Sequence, residues 1–379
     1  MKAKYVGALK DFSGYGEAAR HDVGALNSVG IELTTQIPVY TPEASDYGRL
    51  GQIAVDNENR ELGYKIKIIH TTPNVYTNYM EPDKYHVGRA FWETDKIPFE
   101  FAQNLNLMDE IWTGSLFNEQ AMRIGGVNRP PIYIIPEAID DTLDINSIQP
   151  YLVNLDDDIF KFYSIFEWTE RKNPKALLEA YWKAFEGEIK VALLIKTYVD
   201  NFGQDKKDEI DRDIKKLKLS LGLKSYAPVY LFRDLMTRNQ VYRFHKTGDC
   251  FISLHRGEGW GVPQMEAMLM EKPIISTNCG GIHEYLTDKK NAHLIEYTKV
   301  PVINTRNKQW YTSDQKWAEV NITSAIDRMR YVFANRDKNK IMGKKAGGLV
   351  KAKFGLNAVG NLMKKRLQEI QDTMYSEEI

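Results

Sequence analysis

Ser253-Leu-His-Arg-Gly-Glu-Gly-Trp-Gly-Val-Pro-Gln-Met-Glu266 is the stretch whose reading decides the fold. The apolar run that enters it, Asp249-Cys-Phe-Ile-Ser-Leu254, reads as the end of a buried strand. Gly257, Gly259 and Gly261 then free the backbone, and Pro263 stands where a first helical residue is favoured. Strand, glycine loop and helix start in that order predict an anion site. The first amides of a helix have no intrahelical partner and carry its partial positive charge, and glycine lets a ligand approach them closely. Glu258 and Glu266 frame the loop. A carboxylate beside phosphate-binding amides serves neighbouring hydroxyls, of a sugar ring or a ribose, by accepting their hydrogen bonds. Taken singly, Glu258 reads equally as a solvated loop residue and Glu266 as a first-turn charge that complements the helix dipole.

Upstream, Phe160-Lys-Phe-Tyr-Ser-Ile-Phe166 predicts a strand that runs into Glu167-Trp-Thr-Glu-Arg-Lys-Asn-Pro174. Asn173 is expected to cap a helix begun by Pro174, with Leu177, Leu178, Tyr181, Trp182 and Phe185 on its buried face. Arg171 and Lys172 lie in the turn, cations suited to a diphosphate in an α/β crevice. Lys190 to Ile195 is a further strand. Lys206 to Leu221 is a charged helix with Ile210, Ile214, Leu217 and Leu221 at helical spacing. Val229 to Asp234 predicts another strand, and Asn239 to His245 a short helix that leads back to the opening stretch.

Glu258-Gly-Trp-Gly-Val-Pro-Gln-Met-Glu266 resembles the Glu-x7-Glu signature of the retaining, family-4-type (group 1) glycosyltransferases of GT-B fold, often written EGFGLPxxEA. Trp260 stands for the usual Phe and Gln264-Met265 for a more aliphatic pair. Met270-Glu-Lys-Pro-Ile-Ile-Ser-Thr-Asn-Cys-Gly-Gly-Ile-His-Glu284 is similar to that family's next strand and its Gly-Gly-x-x-Glu loop. The resemblance implies an α/β chain of two Rossmann-like domains facing each other across a cleft. It implies a nucleoside-diphosphate sugar as donor, a hydroxyl-bearing acceptor, and transfer with retention at the anomeric carbon. By the same resemblance Glu258, Lys172 and Arg171 are catalytic: Glu258 grips sugar hydroxyls, and the two cations join the amides of Gly259, Trp260, Gly261 and Val262 around the departing diphosphate. Glu266 is implied to hold the ribose. The family's arginine stands several residues before its lysine; here Glu167 falls near that place and Arg171 adjoins Lys172. Neither a metal nor a separate cofactor is implied.

In the first half, Lys4 to Leu9 predicts a strand, and Ser13-Gly-Tyr-Gly-Glu17 a turn before a helix with Ala18, Ala19, Val23 and Leu26 on its apolar face. The third glycine of a dinucleotide fingerprint is missing, so Gly14 and Gly16 read by themselves as a tight turn; the resemblance sets them opposite the donor diphosphate. Tyr64 to Ile69 is a strand that ends at His70, the position where ligands enter an α/β sheet. Trp92 and Glu93 follow another short strand in His86 to Pro98. The resemblance turns this region toward the acceptor, where many members carry a His, so His70, Trp92 and Glu93 are the expected acceptor-side set. A packed aromatic and a capping carboxylate are the other reading of the last two. Met108 to Ser115 predicts a strand whose end, Ser115, caps a helix through Met122, and Pro131 to Pro136 is the last strand of this half. The polar segment Asp140 to Asp158 is the expected linker, with the boundary near Tyr151. The expected domains are therefore residues 1–150 on the acceptor side, joined by a C-terminal helix at about 357–379, and residues 151–356 on the donor side.

A chain of 379 residues exceeds what one core usually supports. With 51 acidic and 51 basic residues its formal charge is zero, so no global field draws it to nucleic acid or to an anionic membrane. Cys250 and Cys279 have neither the spacing of a zinc site nor the number of a disulfide framework, and they read as core packing in a reducing cytoplasm. The first residues show no secretory apolar region, and no run approaches a membrane span, so association with the inner membrane face is peripheral at most. Three other readings share these residues. One keeps the transfer but takes a hydroxylated base in DNA as acceptor, the sole role left for nucleic acid. Another is an epimerase or phosphorylase of the same fold, and the third a non-catalytic subunit that binds a nucleotide sugar.

Overall fold

Short apolar strands alternating with amphipathic helices give parallel sheets covered on both faces, because a parallel pair needs a crossover and the crossover is a helix. The computed structural model describes residues 1–38, 46–200 and 202–377. The chain divides into one unit of Met1–Leu143 with Val350–Ile379 and a second of Asp144–Leu349.

The first unit is built from β1 (Lys2–Gly7), α1 (Gly14–Ser28), β2 (Glu32–Gln36), α2 (Gly48–Asp56), β3 (Ile66–His70), β4 (Tyr85–Arg89), α3 (Phe99–Leu105), β5 (Glu110–Thr113), α4 (Leu116–Ile124) and β6 (Ile132–Ile134). Its strands lie side by side in the order β2-β1-β3-β4-β5-β6, all parallel. The order reverses between β1 and β3, whose C-terminal residues Gly7 and His70 are register partners. Where Ser13 to Glu17 was expected to form a turn, α1 already begins at Gly14, with the Ser13 side chain accepting from the Gly16 amide. Gly16 is required there: a Cβ would sit 2.1 Å from the Asp11 carbonyl oxygen.

The second unit contains β7 (Phe160–Glu167), α5 (Pro174–Ala184), β8 (Val191–Tyr198), α6 (Gln204–Leu221), β9 (Val229–Phe232), α7 (Arg238–Thr247), β10 (Cys250–Ser253), α8 (Val262–Leu269), β11 (Ile274–Thr277), β12 (His293–Ile295), β13 (Tyr297–Pro301), β14 (Lys316–Val320) and α9 (Ile322–Ala334). Six parallel strands run β12-β11-β10-β7-β8-β9, and β13 with β14 forms an antiparallel ribbon apart from them. The switch here lies between β7 and β10, which pair through Phe162 with Cys250 and Tyr163 with Phe251. Leu177, Leu178, Tyr181 and Trp182 of α5 bury against Phe162, Leu193 and Ile252 of the sheet. On α6 Ile210 alone is fully buried, with Ile214, Leu217 and Leu221 partly covered, as its charge density dictates. Cys250 and Cys279 are both buried and free.

α10 (Arg336–Phe354) and α11 (Leu356–Glu377) close the chain. Leu356, Val359, Met363, Leu367 and Ile370 of α11 belong to the same core as Val23, Ala25 and Leu26 of α1. The Arg366 guanidinium binds the fully buried Glu110 carboxylate at 2.7 Å, tying the last helix to β5. Among the described residues no helix is long and apolar enough to cross a membrane.

Candidate active site

In an open parallel sheet, ligands bind beyond the C-terminal ends of the strands where the order reverses, because the two adjoining loops lead away from each other there. In the second unit those ends are Glu167 of β7 and Ser253 of β10. The loop after β7 carries Arg171 and Lys172; the loop after β10 carries Glu258, Gly259, Trp260 and Gly261, and opens α8 at Val262. The two loops are joined by backbone and side chain: the Arg256 amide donates to the Arg171 carbonyl at 2.7 Å, and the Arg171 guanidinium donates to the Gly257 carbonyl at 3.0 Å.

Lys172 Nζ lies 2.5 Å from Glu258 Oε2. Burial opposes the Glu258 charge, but Lys172, Arg171 and His255 outweigh it and pull the carboxyl down to about 2. Glu258 is thus a fixed anion held against two cations. Its backbone is fixed from the other side, where Gly281 donates to the Glu258 carbonyl at 3.0 Å. At Gly280 φ is +97°, and a Cβ there would meet that carbonyl oxygen at 2.2 Å, so only glycine lets the Gly280-Gly281 loop close on Glu258. Gly261, also at φ +97°, turns the chain into α8, and its carbonyl and that of Trp260 receive the Tyr285 hydroxyl. The Trp260 indole is buried against Tyr285 and donates to Met265 Sδ, which leaves the main chain of this residue as its part of the loop's polar surface.

His255 anchors the strand end beneath the loop. Its Nε2–H donates to the Cys279 carbonyl at 3.0 Å, so Nδ1 accepts from the Ser253 hydroxyl at 3.0 Å. Burial lowers this imidazole to about 4 and keeps it neutral.

Glu266, on α8, is buried and ion-paired with Arg238, the first residue of α7. His245 Nε2 approaches its other oxygen at 3.2 Å, and Tyr163 meets His245 Nδ1 at 3.0 Å. Arg238 and His245 were not among the expected site residues. The signal was present in Thr237-Arg-Asn-Gln240, a capping box that starts α7 at Arg238 and not at Asn239.

One expectation in the β7 loop needs correction. Asn173 occupies the cap position of α5 in the left-handed region at φ +56°, and its side chain makes no capping bond. Asn enters that region more readily than other non-glycine residues. Burial raises the Glu167 carboxyl, against the opposing pull of Arg171.

In the first unit, the switch-point residue His70 is buried in a polar network. Tyr5 donates to Asp22 at 3.0 Å and lies 2.6 Å from His70 Nδ1. The Tyr5 proton goes to the carboxylate, so Nδ1–H donates to the phenol oxygen and Nε2 is left as the acceptor, with no hydrogen-bond partner among the described residues. Arg89 grips Asp22 through Nε at 2.9 Å and Nη2 at 3.1 Å and also donates to the Pro136 carbonyl. Burial, then Arg89, holds the His70 imidazole well below its usual range. Tyr15 and Phe91 pack on its ring. Gly14 and Gly16 lie in the first turn of α1. Trp92 is buried edge-on against Phe101 with Nε1 on Thr94, and Glu93 beside it is half-buried.

Residues 148–325 match the family model of glycosyl transferases group 1. A trehalose synthase of Thermococcus litoralis is 23% identical over 137 residues, 36% of this chain and 26% of that enzyme. The chain therefore spans about a quarter of the length of the curated relatives it matches. Among solved structures, the sucrose-phosphate synthase of Thermosynechococcus elongatus superposes with a TM-score of 0.72 at 13% identity, covering 98% of this chain and 100% of that one. Anabaena HepE in complex with UDP and glucose superposes with a TM-score of 0.66 at 13% identity, covering 97% and 100%. The fold is that of the GT-B glycosyltransferases.

Proposed function

We propose that the protein transfers a sugar from a nucleoside diphosphate to a hydroxyl acceptor with retention of configuration, a reading supported by the match of residues 148–325 to the glycosyl transferases group 1 model in a chain of GT-B fold. The observation that carries the reading is the pairing of Lys172 with Glu258 at the β7–β10 switch point, beside the amides that open α8.

In the proposed reaction the bond between the anomeric carbon and the diphosphate oxygen breaks, and the acceptor oxygen bonds to that carbon on the same face. The acceptor proton passes to a donor phosphate oxygen, and the nucleoside diphosphate leaves with the bonding electrons. Its growing negative charge is met by Lys172, Arg171 and the amides of Gly261 and Val262, groups already fixed before the reaction begins. Glu258 orients sugar hydroxyls as an acceptor of their hydrogen bonds, and Glu266 does the same for the ribose. The loop's cations supply the charge stabilisation, and the reading needs no metal or further cofactor. The first unit selects the acceptor, with His70 Nε2 offering a lone pair to a hydroxyl and Glu93 nearby in sequence to the same sheet edge.

HepE was solved with UDP-glucose, which makes a uridine nucleotide the first donor to try. The test is a thermal-shift series with UDP-, GDP-, ADP-, CDP- and dTDP-glucose, followed by release of the nucleoside diphosphate in the presence of hydroxyl acceptors. One nucleotide class is expected to raise the melting temperature and to be released on turnover, and Lys172→Met to abolish both effects. No shift with any of them overturns the donor site; a shift without release under any acceptor leaves a binding protein and overturns the transferase.

A further inference from the structure

A second polar cleft, of about 680 Å³, opens in the same unit between the loop after β7, α6 and the β13–β14 ribbon. Neither Lys172 nor Glu258 lines it. Its size falls within the range of sites that enclose a ligand of one to a few rings.

The polar groups of the cleft are of two kinds. Of the charged ones, Arg256 binds Glu319 at 2.8 Å, and Arg306 pairs with Glu170 and Glu209. Asp213 accepts from the Trp168 indole at 3.1 Å, and Lys175 stands exposed at the start of α5. Both guanidiniums are engaged, so an anion entering the cleft would have to displace a carboxylate from them or rest on the exposed Lys175 alone. The uncharged ones are in the opposite condition. Asn173 is 2% exposed, its amide is not spent on capping α5, and Nδ2 has no hydrogen-bond partner among the described residues. Thr169 Oγ1, one turn of loop earlier, is buried and equally unpartnered. Buried donors in native proteins are nearly always satisfied, so two neutral orphans on one cleft point to a ligand that satisfies them. Trp317, 3% exposed and with the Arg256 guanidinium over its ring, also lines the cleft.

We propose that this cleft binds a neutral oligosaccharide, whose hydroxyls meet the Asn173 amide and the Thr169 hydroxyl and whose apolar ring face lies toward Trp317. A neutral polyol can satisfy the amide donor and the hydroxyl without displacing the ion pairs that engage Arg256 and Arg306. The proposal stands on the cleft and not on the sugar-transfer reading, since it requires no nucleotide.

Isothermal titration of the full chain with maltotriose, cellotriose and N,N′-diacetylchitobiose, each with and without saturating UDP, tests it. At least one saccharide is expected to bind saturably in both conditions. Asn173→Asp, nearly isosteric and tolerant of the same backbone, and Thr169→Val should each weaken that binding roughly tenfold while the circular dichroism spectrum is kept. Using two variants guards against one failing to fold. Absence of saturable binding for all three sugars overturns the proposal. So does displacement of the sugar by UDP, which puts it in the donor site, or unchanged affinity in both variants, which puts it elsewhere.

Discussion

Lys172 Nζ and Glu258 Oε2 are 2.5 Å apart, 86 residues distant in sequence, and brought together because β7 and β10 are neighbours in the sheet. The pair fixes a carboxylate as an anion and sets a cation in the loop beside the one that opens α8.

Lys172→Met removes the cation and keeps most of the side chain's volume. Turnover should fall at least about 100-fold, the usual result of deleting one preorganised group that meets charge in the transition state. Stability should fall by about 1–3 kcal/mol, because Glu258 loses its direct partner while Arg171 remains close. Steady-state kinetics and urea denaturation of the same preparation check both. A variant with near-normal turnover would remove Lys172 from the reaction.

Glu266 has a structural duty that complicates its use as a ligand probe. It is buried between Arg238 and His245, and Glu266→Ala breaks this ion pair from the buried side, at a cost of about 3–5 kcal/mol. Glu266→Gln, which keeps the shape and an acceptor oxygen, is the informative ligand variant. Weaker nucleotide binding with a modest stability change supports a ribose contact, and unchanged binding denies it.

Gly14 and Gly16 separate fold from ligand within one turn. A Cβ on Gly14 meets nothing within 4 Å, whereas one on Gly16 meets the Asp11 carbonyl at 2.1 Å. Gly14→Ala is therefore expected to stabilise the protein by about 0.4–1 kcal/mol, and Gly16→Ala to destabilise it by more than that gain. If Gly14 also faces the donor diphosphate, its alanine variant melts higher and yet binds nucleotide less tightly. A higher melting temperature with unaltered affinity excludes that role.

The second unit was the more legible of the two, for a physical reason. Its site depends on features that are local in sequence: a glycine loop between a strand and a helix, and two cations in the turn before Pro174. Arg238 and the Tyr163-His245 pair behind Glu266 were not visible, because they reach it from α7 and β7 and no spacing rule links them. The Asp22-Arg89-Tyr5-His70 network was hidden in the same way, each member reading alone as an ordinary polar residue. Elements with weak apolar periodicity, such as β2, α2 and the β13–β14 ribbon, took shape from tertiary pairing and not from pattern. The failed cap at Asn173 is the instructive local error: residue type and position agreed with a cap, and the left-handed backbone withdrew the side chain from that use.

Acid should unfold the protein earlier than its carboxylates alone require. His255 is lowered from an ordinary 6.5 to about 4, chiefly by burial. Its folded value is below its unfolded value, so the unfolded chain takes up the proton first. The contribution is intact above pH 6.5, declines by about 1.4 kcal/mol per unit as pH falls, and is spent near pH 4 after a loss of roughly 3 kcal/mol. His70 and His245 are lowered in the same direction, by burial first and by Arg89 and Arg238 respectively, and add to the slope. Glu258 acts in a lower window: its value falls from 4.5 to about 2, so its contribution is complete above 4.5 and lost between there and pH 2. Unfolding free energies from urea titrations at steps between pH 8 and pH 3 should therefore fall from near 6.5 downward. His255→Gln keeps a donor for the Cys279 carbonyl and cannot ionise, so its curve should be flatter by about 1.4 kcal/mol per unit between pH 6.5 and 4, and parallel to the wild type below that. An unchanged slope in the variant would mean that His255 is not held neutral by the fold.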